Sequence, residues 1–270
     1  MSEPTFDAAH PLARPYKVRE IPGTHEGWFV AEGRHNVEAL IRHGFALDSV
    51  LLVAGAHDDL AAKIPAGVPV LRPDKAQARE IFGVDFHLGV AAVARAPKKR
   101  RLFEALPALG EPGAKPHTLV VCPCLGDASN LGAIIRNAAA FGADAVVCGE
   151  RGVSPWSRKA VRASSGTMFN LPVFVSPDLH ADLSEFAARA DCTLAATRLG
   201  PGAVPLPAWK PAARHVALLM GGEAHGLAPE WLRLPHEAVI IPMAPGVDSL
   251  NVAASSAVAL YHLAHGVVRS

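Results

Sequence analysis

The sequence predicts an α/β protein of two domains, and three observations support this prediction. Its 270 residues exceed what one ordinary domain needs. Half of the residues are apolar and 19% are charged, which is typical of a globular chain with ample material for a core. Short apolar runs alternate with helical patterns along the chain, and this alternation is typical of strands followed by helices in α/β folds.

The first half of the chain shows this alternation and then interrupts it. Its predicted strands are 28–31, 49–53, 68–71 and 88–94, and its predicted helices are 34–43, 58–64 and 74–81. The following stretch, 96–116, is rich in proline and glycine and fits neither a continuous helix nor a central strand. We therefore predict a first domain at 1–105, a linker at 106–116 and a second domain at 117–270.

The α/β alternation restarts after the linker. Its predicted strands are 118–122, 145–148, 172–175, 193–196, 216–220 and 238–241, and its predicted helices are 131–141, 157–163, 179–190 and 250–267. The last helix is apolar and rich in alanine and serine, and such small residues permit close packing, including packing against a second subunit.

Charge and cysteine content narrow the class of protein. The net charge of +1 argues against a chain that holds nucleic acid by bulk charge, so an RNA partner has to be argued locally. The dense basic run 98–101 fits a solvated linker as well as it fits such a contact.

The four cysteines have neither zinc-site nor disulfide-framework spacing, which predicts reduced, buried thiols. No apolar run reaches the ~18 residues of a membrane span, and the polar start of the chain predicts a cytoplasmic protein.

Three segments place polar residues and glycines directly after predicted strands, where open α/β sheets bind their ligands. In 130–142, Asn130 can cap the predicted helix and Gly142 can end it. Arg136 lies in the second turn, and its spacing alone favours an arginine on a solvated helix face. In 218–227 a glycine-rich turn carries Glu223, and in 240–253 either Ser249 or Asn251 begins the last helix.

Together these segments resemble the SpoU (TrmH) family of the SPOUT methyltransferases. That family carries an Asn–Gly–Arg segment, a Gly-x-Glu segment and an Ile-Pro-Met…Ser-Leu-Asn segment in this order, and all three are present here. The resemblance covers about 118–267, and 157–166 is similar to the family's stretch between its first two motifs. Segments 29–33 and 87–90 resemble the family's substrate-binding domain, a small α/β sandwich like certain RNA-binding ribosomal proteins.

The resemblance implies a fold and an activity. It implies a carboxyl-terminal domain with a deep trefoil knot, a smaller amino-terminal RNA-binding domain and a homodimer with the catalytic site near its interface. It implies methyl transfer from S-adenosylmethionine to a ribose 2′-hydroxyl of structured RNA, without a metal, a membrane or DNA. The separate front domain favours ribosomal over transfer RNA.

The resemblance also assigns residues. The catalytic positions it implies are Arg136, Asn130, Glu223, Ser249 and Asn251. The cofactor-binding positions it implies are Gly221, Ile241 and Leu250, flanked by Met220, Gly222 and Met243. The sequence departs from the family pattern at Ala128, where proline is common, and at Ala224, where glycine is common.

Other classes of protein fit less well. A nucleotide-dependent oxidoreductase or a Rossmann methyltransferase normally has a Gly-x-Gly turn after its first strand, whereas 122–127 reads Cys-Pro-Cys-Leu-Gly-Asp. A serine hydrolase needs a Gly-x-Ser-x-Gly elbow, which is absent from the sequence. The remaining alternative is an RNA-binding protein that retains the SPOUT fold but has lost catalysis. Retention of all four of Arg136, Glu223, Ser249 and Asn251 argues against it.

Overall fold

Two sheets organise the chain in the computed structural model, which describes residues 9–17, 27–111, 113–198, 200, 202–222, 226–247 and 249–267. A four-stranded sheet is built by the residues before 96 and a seven-stranded sheet by the residues after 117. The chain is therefore a mixed α/β protein, as predicted. No helix in the described ranges has the length and apolar character needed to cross a bilayer.

The four-stranded sheet is mixed in direction. Its strands are β1 (Trp28–Glu32), β2 (Leu47–Leu52), β3 (Val70–Leu71) and β4 (Val90–Arg95), in the order β1-β4-β2-β3. Strand β4 runs antiparallel to both β1 and β2, and β3 runs parallel to β2. The helices of this half are α1 (Arg14–Lys17), α2 (Arg34–Arg42), α3 (Asp58–Ala61) and α4 (Lys75–Phe82).

Local sequence explains where the helices of the first half begin and end. Asp74 caps α4 through a capping box with Gln77, and Gly83 ends the helix in the left-handed conformation. Helix α3 stops at Ala61, three residues short of its predicted end. The chain also forms an unpredicted helix, α1, whose Tyr16 is fully buried and hydrogen-bonded to Ser49 Oγ at 2.9 Å.

The seven-stranded sheet is parallel at every strand pair in the described residues. Its strands are β5 (Thr118–Cys122), β6 (Ala145–Cys148), β7 (Val173–Val175), β8 (Cys192–Thr197), β9 (Val204–Pro205), β10 (His215–Leu219) and β11 (Glu237–Ile240). Their order is β7-β6-β5-β10-β8-β11-β9. Strands β5, β6 and β10 are buried throughout, as expected of a parallel sheet covered on both faces.

Helices cover both faces of this sheet. They are α5 (Leu102–Ala105), α6 (Ala128–Ala140), α7 (Arg158–Ser164), α8 (Leu179–Ala187), α9 (Pro229–Leu232) and α10 (Val252–Tyr261). Helix α6 begins three residues before its predicted start. Helix α10 ends six residues before its predicted end and continues as a π-helical turn, His262–Gly266, whose His262 Nε2 lies 2.9 Å from the Trp209 carbonyl oxygen.

Part of the predicted linker is ordered and packed. Within it, the 3₁₀ turn Pro107–Gly110 buries Leu109 in the core under the seven-stranded sheet, and just before it helix α5, in the predicted first domain, buries Leu102 in the same core. The proposed boundaries between the two domains stay a prediction.

An aromatic cluster joins the two sheets. Phe29 and Phe45 of the first half pack against Trp156 and Phe169 of the second, with ring centroids 5.0 to 6.5 Å apart. Beside them the half-buried Arg158 donates to the backbone oxygens of Pro15 and Tyr16 and lies 3.3 Å from the Glu32 carboxylate. The start of α7 is therefore fixed against the four-stranded sheet.

Candidate active site

The strand order of the seven-stranded sheet predicts a ligand-binding position at the carboxyl end of β5. From β5 the chain builds outwards to β6 and β7 on one side, and the later strands, β8 to β11, fill the other side. The loops after β5 and β10 therefore leave neighbouring strands in different directions, which is where open parallel sheets bind ligands. The first and second sequence motifs follow these two strands. We call the loops that follow the strands (123–127, 149–157, 176–178, 220–228 and 241–251) the carboxyl edge.

Asp127, rather than the predicted Asn130, caps helix α6. The Asp127 carboxylate accepts hydrogen bonds from the backbone nitrogens of Ser129 at 2.7 Å and Asn130 at 3.0 Å. The capping prediction was wrong because the helix starts earlier than its apolar pattern, which leaves Asn130 in the first turn. Lys159 binds the other carboxylate oxygen at 2.6 Å, and the ion pair, together with the backbone donors, holds the pKa of Asp127 below its usual range.

A hydrogen bond brings the first and third motifs together. Asn251 Nδ2 donates to Asn130 Oδ1 at 3.0 Å, across 121 positions of sequence. The Asn251 Oδ1 accepts hydrogen bonds from the backbone nitrogens of Ala253 and Ala254, so this residue caps α10. Of the two residues predicted to begin the last helix, Ser249 and Asn251, it is therefore Asn251 that does so. Ser249 is exposed two residues before this cap. Asn251 therefore links the start of α10 to the first turn of α6.

Two residues of α6 that sequence reasoning missed hold its neighbours in place. Asn137 Nδ2 donates to the Ala253 backbone oxygen at 2.8 Å and to Ser256 Oγ at 2.9 Å, which ties α6 to α10. A Cβ on Gly132 would lie 2.3 Å from the Ala160 carbonyl oxygen, so α7 packs directly on this glycine. An asparagine and a glycine inside an apolar helix are the sequence signals that could have indicated these contacts.

Arg136 lies on the solvent-facing strip of α6. Residues of a helix turn about 100° per position, which places Arg136 between Gly132, facing α7, and Asn137, facing α10. Its side chain is exposed, and no described residue forms a hydrogen bond or ion pair with it. The guanidinium is therefore available to an anionic group from outside the described chain.

The second motif folds into a tight glycine loop. The backbone nitrogen of buried Met220 donates to the Val121 carbonyl oxygen at 2.8 Å, which extends the β10–β5 pairing. Gly222 and Gly226 exchange two backbone hydrogen bonds of 3.0 Å and close the loop. A Cβ on Gly221 would lie 2.5 Å from the Gly226 carbonyl carbon. Glu223 lies outside the described residues.

Backbone also packs on backbone between the first and second loops. A Cβ on Gly222 would lie 3.1 Å from the Cys124 carbonyl oxygen, so the loop after β10 sits directly against the loop after β5. The absence of a side chain here lets the loops approach and leaves their peptide groups facing the edge.

The third motif presents apolar side chains at the same edge. Ile241 and Met243 are half-buried, while Val247 and Leu250 are 48% and 42% exposed. Apolar side chains beside peptide groups of glycine-rich loops can hold a ligand that has a flat apolar ring and polar ring edges. Gly221, Gly222, Ile241 and Leu250 thus lie in loops that follow β10 and β11 at one edge of the sheet, and their role in binding a cofactor stays a prediction.

The cysteines divide by environment. All four are free thiols, and Cys122, Cys148 and Cys192 are buried as predicted. Burial raises the pKa of Cys148 and of Cys192 to about 12 and raises that of Cys122 well above its usual range. The prediction was wrong for Cys124, which is exposed because it lies in the loop after β5. Among the described residues no group of three or more His, Cys, Asp or Glu side chains could hold a metal ion.

Comparisons with known proteins agree on one family. The SpoU rRNA Methylase family model matches residues 117–261. An uncharacterized tRNA/rRNA methyltransferase of Mycobacterium bovis is 36% identical over 77% of this chain and 69% of its own length. The 23S rRNA (guanosine-2′-O-)-methyltransferase RlmB of Ralstonia nicotianae is 30% identical over 85% of this chain and 92% of its own length.

Solved structures are similar over most of the chain. The crystal structure of an AdoMet-bound rRNA methyltransferase from Sinorhizobium meliloti is 27% identical and superimposes with a TM-score of 0.71, covering 87% of this chain and 86% of that one. The AdoMet-bound SpoU methyltransferase AviRb from Streptomyces viridochromogenes has a TM-score of 0.78 at 22% identity, covering 95% and 98% of the two chains, and it supports the fold.

Proposed function

The chain belongs to the SpoU rRNA methylase family, and from this membership we propose that it methylates a ribose 2′-hydroxyl of structured RNA. The methyl donor is S-adenosylmethionine. Ribosomal RNA is favoured over transfer RNA, since relatives that span nearly the same length include a protein named as a 23S rRNA guanosine 2′-O-methyltransferase.

The observation that carries the proposal is the hydrogen bond between Asn130 and Asn251. Two motifs that are far apart in sequence meet at the carboxyl edge, and the glycine loop of the second motif packs on the loop after β5, which leads into the helix of the first. The relatives that match most of this chain are named as methyltransferases, so the inactive alternative is not favoured.

The residues at this edge fit S-adenosylmethionine. In the glycine loop, the Met220 carbonyl oxygen and the Gly221 peptide groups offer hydrogen bonds to the adenine edge, and the Gly222–Gly226 bridge holds this backbone in place. Ile241, Met243 and Leu250 offer apolar contacts to the faces of the adenine ring. When bound, the sulfonium supplies an already activated methyl group, so the protein has to align the acceptor hydroxyl and stabilise the negative charge that it develops.

Arg136 is assigned as an anion clamp. A guanidinium keeps its positive charge in proteins and is a poor proton acceptor, but it binds phosphate and stabilises an alkoxide through charge-assisted hydrogen bonds. Its lack of a partner among the described residues leaves all of its donors available for the RNA.

The other catalytic positions are assigned to orientation. Asn251 donates to Asn130 and so fixes the orientation of both side chains at the carboxyl edge, and the exposed Ser249 lies two residues before Asn251. Glu223 is assigned to the same polar group by its place in the second motif. A 2′-hydroxyl is the group that distinguishes RNA from DNA at such a site.

We extend the family assignment to the architecture and the assembly. The carboxyl-terminal segments form a deep trefoil knot around the cofactor, which the close approach of the loops after β5 and β10 supports. The four-stranded unit serves as an RNA-binding domain.

The active form is a homodimer, for which helix α10 supplies an apolar surface that includes Val258 and Tyr261, 42% and 59% exposed. Four free thiols fit a reducing, cytoplasmic setting.

Alkaline hydrolysis of methyl-labelled RNA tests the reaction. The protein is incubated with methyl-labelled S-adenosylmethionine and, separately, with unmodified ribosomal and transfer RNA. A 2′-O-methyl group protects the adjacent phosphodiester from alkali, so we expect label in alkali-resistant dinucleotides from ribosomal RNA. Label in mononucleotides would mean base methylation and would overturn the proposed reaction, and label from transfer RNA alone would overturn the preferred substrate.

A further inference from the structure

The basic run 98–101 is fixed in place on the seven-stranded sheet rather than solvated along its length. The Lys99 ammonium forms an ion pair with Glu150, which lies two residues after β6. The Arg100 backbone nitrogen donates to the carbonyl oxygen of Val175, the last residue of β7, at 3.2 Å. The run therefore crosses the ends of β6 and β7 on the carboxyl edge.

A buried carboxylate anchors the end of the run. The Asp182 side chain is 1% exposed and forms an ion pair with the Arg101 guanidinium. The same carboxylate accepts from the backbone nitrogen of Leu102 at 3.1 Å and from Ser176 Oγ at 2.5 Å. Because a buried carboxylate needs its charge compensated, this contact holds Arg101, and with it the run, against α8.

The four cationic side chains of the run alternate between unpaired and ion-paired. Lys99 and Arg101 are paired with the sheet, whereas the side chains of Lys98 and Arg100 are exposed and have no hydrogen-bond or ion-pair partner in the described part of the chain. The two acidic partners thus neutralise half of the run. The fold holds the other two positive charges on an ordered backbone, facing solvent.

These two charges lie on the same edge as the active site. Strands β7, β6 and β5 are neighbours, and neighbouring strands are ~4.8 Å apart, so the end of β7 is about 10 Å from the end of β5. Arg151, 80% exposed in the loop after β6, lies between them but is paired with Glu230 at 3.4 Å, so Lys98 and Arg100 remain the available charges of this stretch. An RNA strand with one ribose at Asn130 can therefore cross β6 and place neighbouring phosphates over the run.

We propose that Lys98 and Arg100 form a phosphate-binding subsite that holds the RNA strand flanking the methylated nucleotide. The inference rests on the proposed function, since it takes RNA as the substrate. The subsite contributes affinity and no sequence information, because a phosphate contact does not read bases. Because Glu150 and Asp182 already hold the run in place, RNA binding does not carry the entropic cost of ordering it.

Paired double variants test the subsite. Lys98→Gln with Arg100→Gln removes both free charges. Lys115→Gln with Lys210→Gln removes two exposed charges from the opposite side of the sheet, before β5 and β10, and serves as the control of equal net charge. The binding of a labelled mixed-sequence single-stranded RNA is measured between about 50 and 200 mM salt for both variants and the wild type.

We expect the first variant to lower the slope of log affinity against log salt by about 1.4, at ~0.7 per contact for single strands. Its KM for RNA should rise about tenfold, while kcat at saturating RNA and the Kd for S-adenosylmethionine stay unchanged. The charge-conserving variant Lys98→Arg with Arg100→Lys should bind as the wild type does. The control variant should keep the wild-type slope.

Two outcomes overturn the proposal in distinguishable ways. If the wild type methylates RNA but Lys98→Gln with Arg100→Gln binds with the same slope and affinity as the control, the subsite is wrong and the proposed function stands. If the wild type neither binds nor methylates RNA, the proposed function fails and the subsite fails with it.

Discussion

The two edges of the seven-stranded sheet differ in how their charged groups are satisfied. On the amino edge, formed by the segments before the strands (113–117, 141–144, 188–191 and 209–214), several polar groups pair within the chain, although Lys210 is exposed. Lys115 binds Asp144 at 3.1 Å, and the Nδ1 atoms of the buried rings of His117 and His215 lie 3.2 Å apart. On the carboxyl edge Lys98 and Arg100 have no such partner. The carboxyl edge thus carries two available charges two positions apart, and this is where we propose that RNA binds.

The edges differ in their glycines as well. On the carboxyl edge, a Cβ on Gly149 would lie 2.2 Å from the Pro123 carbonyl oxygen, and one on Gly221 would lie 2.5 Å from the Gly226 carbonyl carbon. Gly110, near the amino edge, has only the end of the Arg189 side chain within 3.6 Å. Backbone packed on backbone builds rigid loops whose peptide groups can recognise a cofactor. The carboxyl edge is therefore specialised in both packing and charge.

The largest expected effect is on Arg136, the exposed arginine of the helix that leaves the carboxyl edge. Arg136→Ala should lower kcat by about 10² to 10³, the usual effect of removing one donor that stabilises transition-state charge. The Kd for S-adenosylmethionine should not change. The measurement is methyl transfer to RNA at saturating cofactor, together with calorimetric titration of the cofactor.

Arg42→Ala provides the matched control for Arg136. Arg42 is also exposed and has no partner among the described residues, but it ends α2 on the four-stranded unit. We expect it to keep kcat within about twofold, as for surface substitutions away from special features. Equal activity of the two variants would remove Arg136 from the mechanism.

The glycine loop should show the next largest effect. Gly221→Ala places a Cβ against backbone atoms of Gly226 and Leu227, which cannot move without opening the Gly222–Gly226 bridge. We expect the affinity for S-adenosylmethionine to fall at least tenfold, or by ~1.4 kcal/mol. Gly110→Ala is the control and should bind the cofactor normally. Wild-type cofactor affinity in Gly221→Ala would show that this loop does not form the cofactor site.

Two variants at Asn251 distinguish its structural role as the cap of α10 from its role in the active site. In Asn251→Asp the side-chain oxygen still caps α10, but the hydrogen bond donated to Asn130 is lost. This variant should keep its thermal stability and lose about tenfold in kcat, the value of ~1.4 kcal/mol for one good hydrogen bond. Asn251→Ala should lose ~1 kcal/mol of stability in addition, because the cap is gone. Full activity of Asn251→Asp would mean that Asn251 acts only as a cap.

The smallest expected effect concerns thiol reactivity. At about pH 8 a thiol reagent should modify Cys124 in the folded protein and leave the other three cysteines intact, because burial raises their pKa values and blocks access. Denatured protein should react at all four. Mass spectrometry of labelled peptides makes the measurement, and rapid labelling of Cys148 would contradict the packing of β6.

Burial of these thiols also predicts a direction for the pH dependence of stability. The folded protein keeps the Cys148 proton up to a pKa of about 12, whereas the unfolded chain releases it near pH ~8.5. The free energy of unfolding should therefore fall as the pH rises above ~8.5. Chemical denaturation at pH 8 and pH 10 checks the direction, and Cys148→Ala should reduce the decrease.

Strongly apolar strands could be predicted from sequence, and so could the motif residues that follow them. The predicted strands 118–122 and 145–148 match β5 and β6, since each is a continuous apolar run bounded by breaking residues. The two-residue strand β9 and the four-residue helix α9 carry too little periodicity to be recognised. The strand order depends on where each crossover packs, which local pattern does not contain.

The sequence can point to unusual residues in a helix, but it could not predict which distant residues they contact in the site. Asp127 was missed as the cap because Ala128 and Ser129 do not continue the apolar pattern, although the helix includes them. The roles of Gly132 and Asn137 depend on α7 and α10, which come from distant sequence. Lys98 and Arg100 differ from Lys99 and Arg101 only through Glu150 and Asp182, so the basic run could not be divided without the fold.

Hydrogen–deuterium exchange with and without RNA and S-adenosylmethionine shows whether the carboxyl edge binds both ligands. We expect slower exchange in peptides covering 98–101, 123–130, 220–228 and 241–251 when both ligands are present, with 113–117 and 209–214 unchanged. Slower exchange confined to the amino edge, or no change at the carboxyl edge under conditions of methyl transfer, would contradict this expectation.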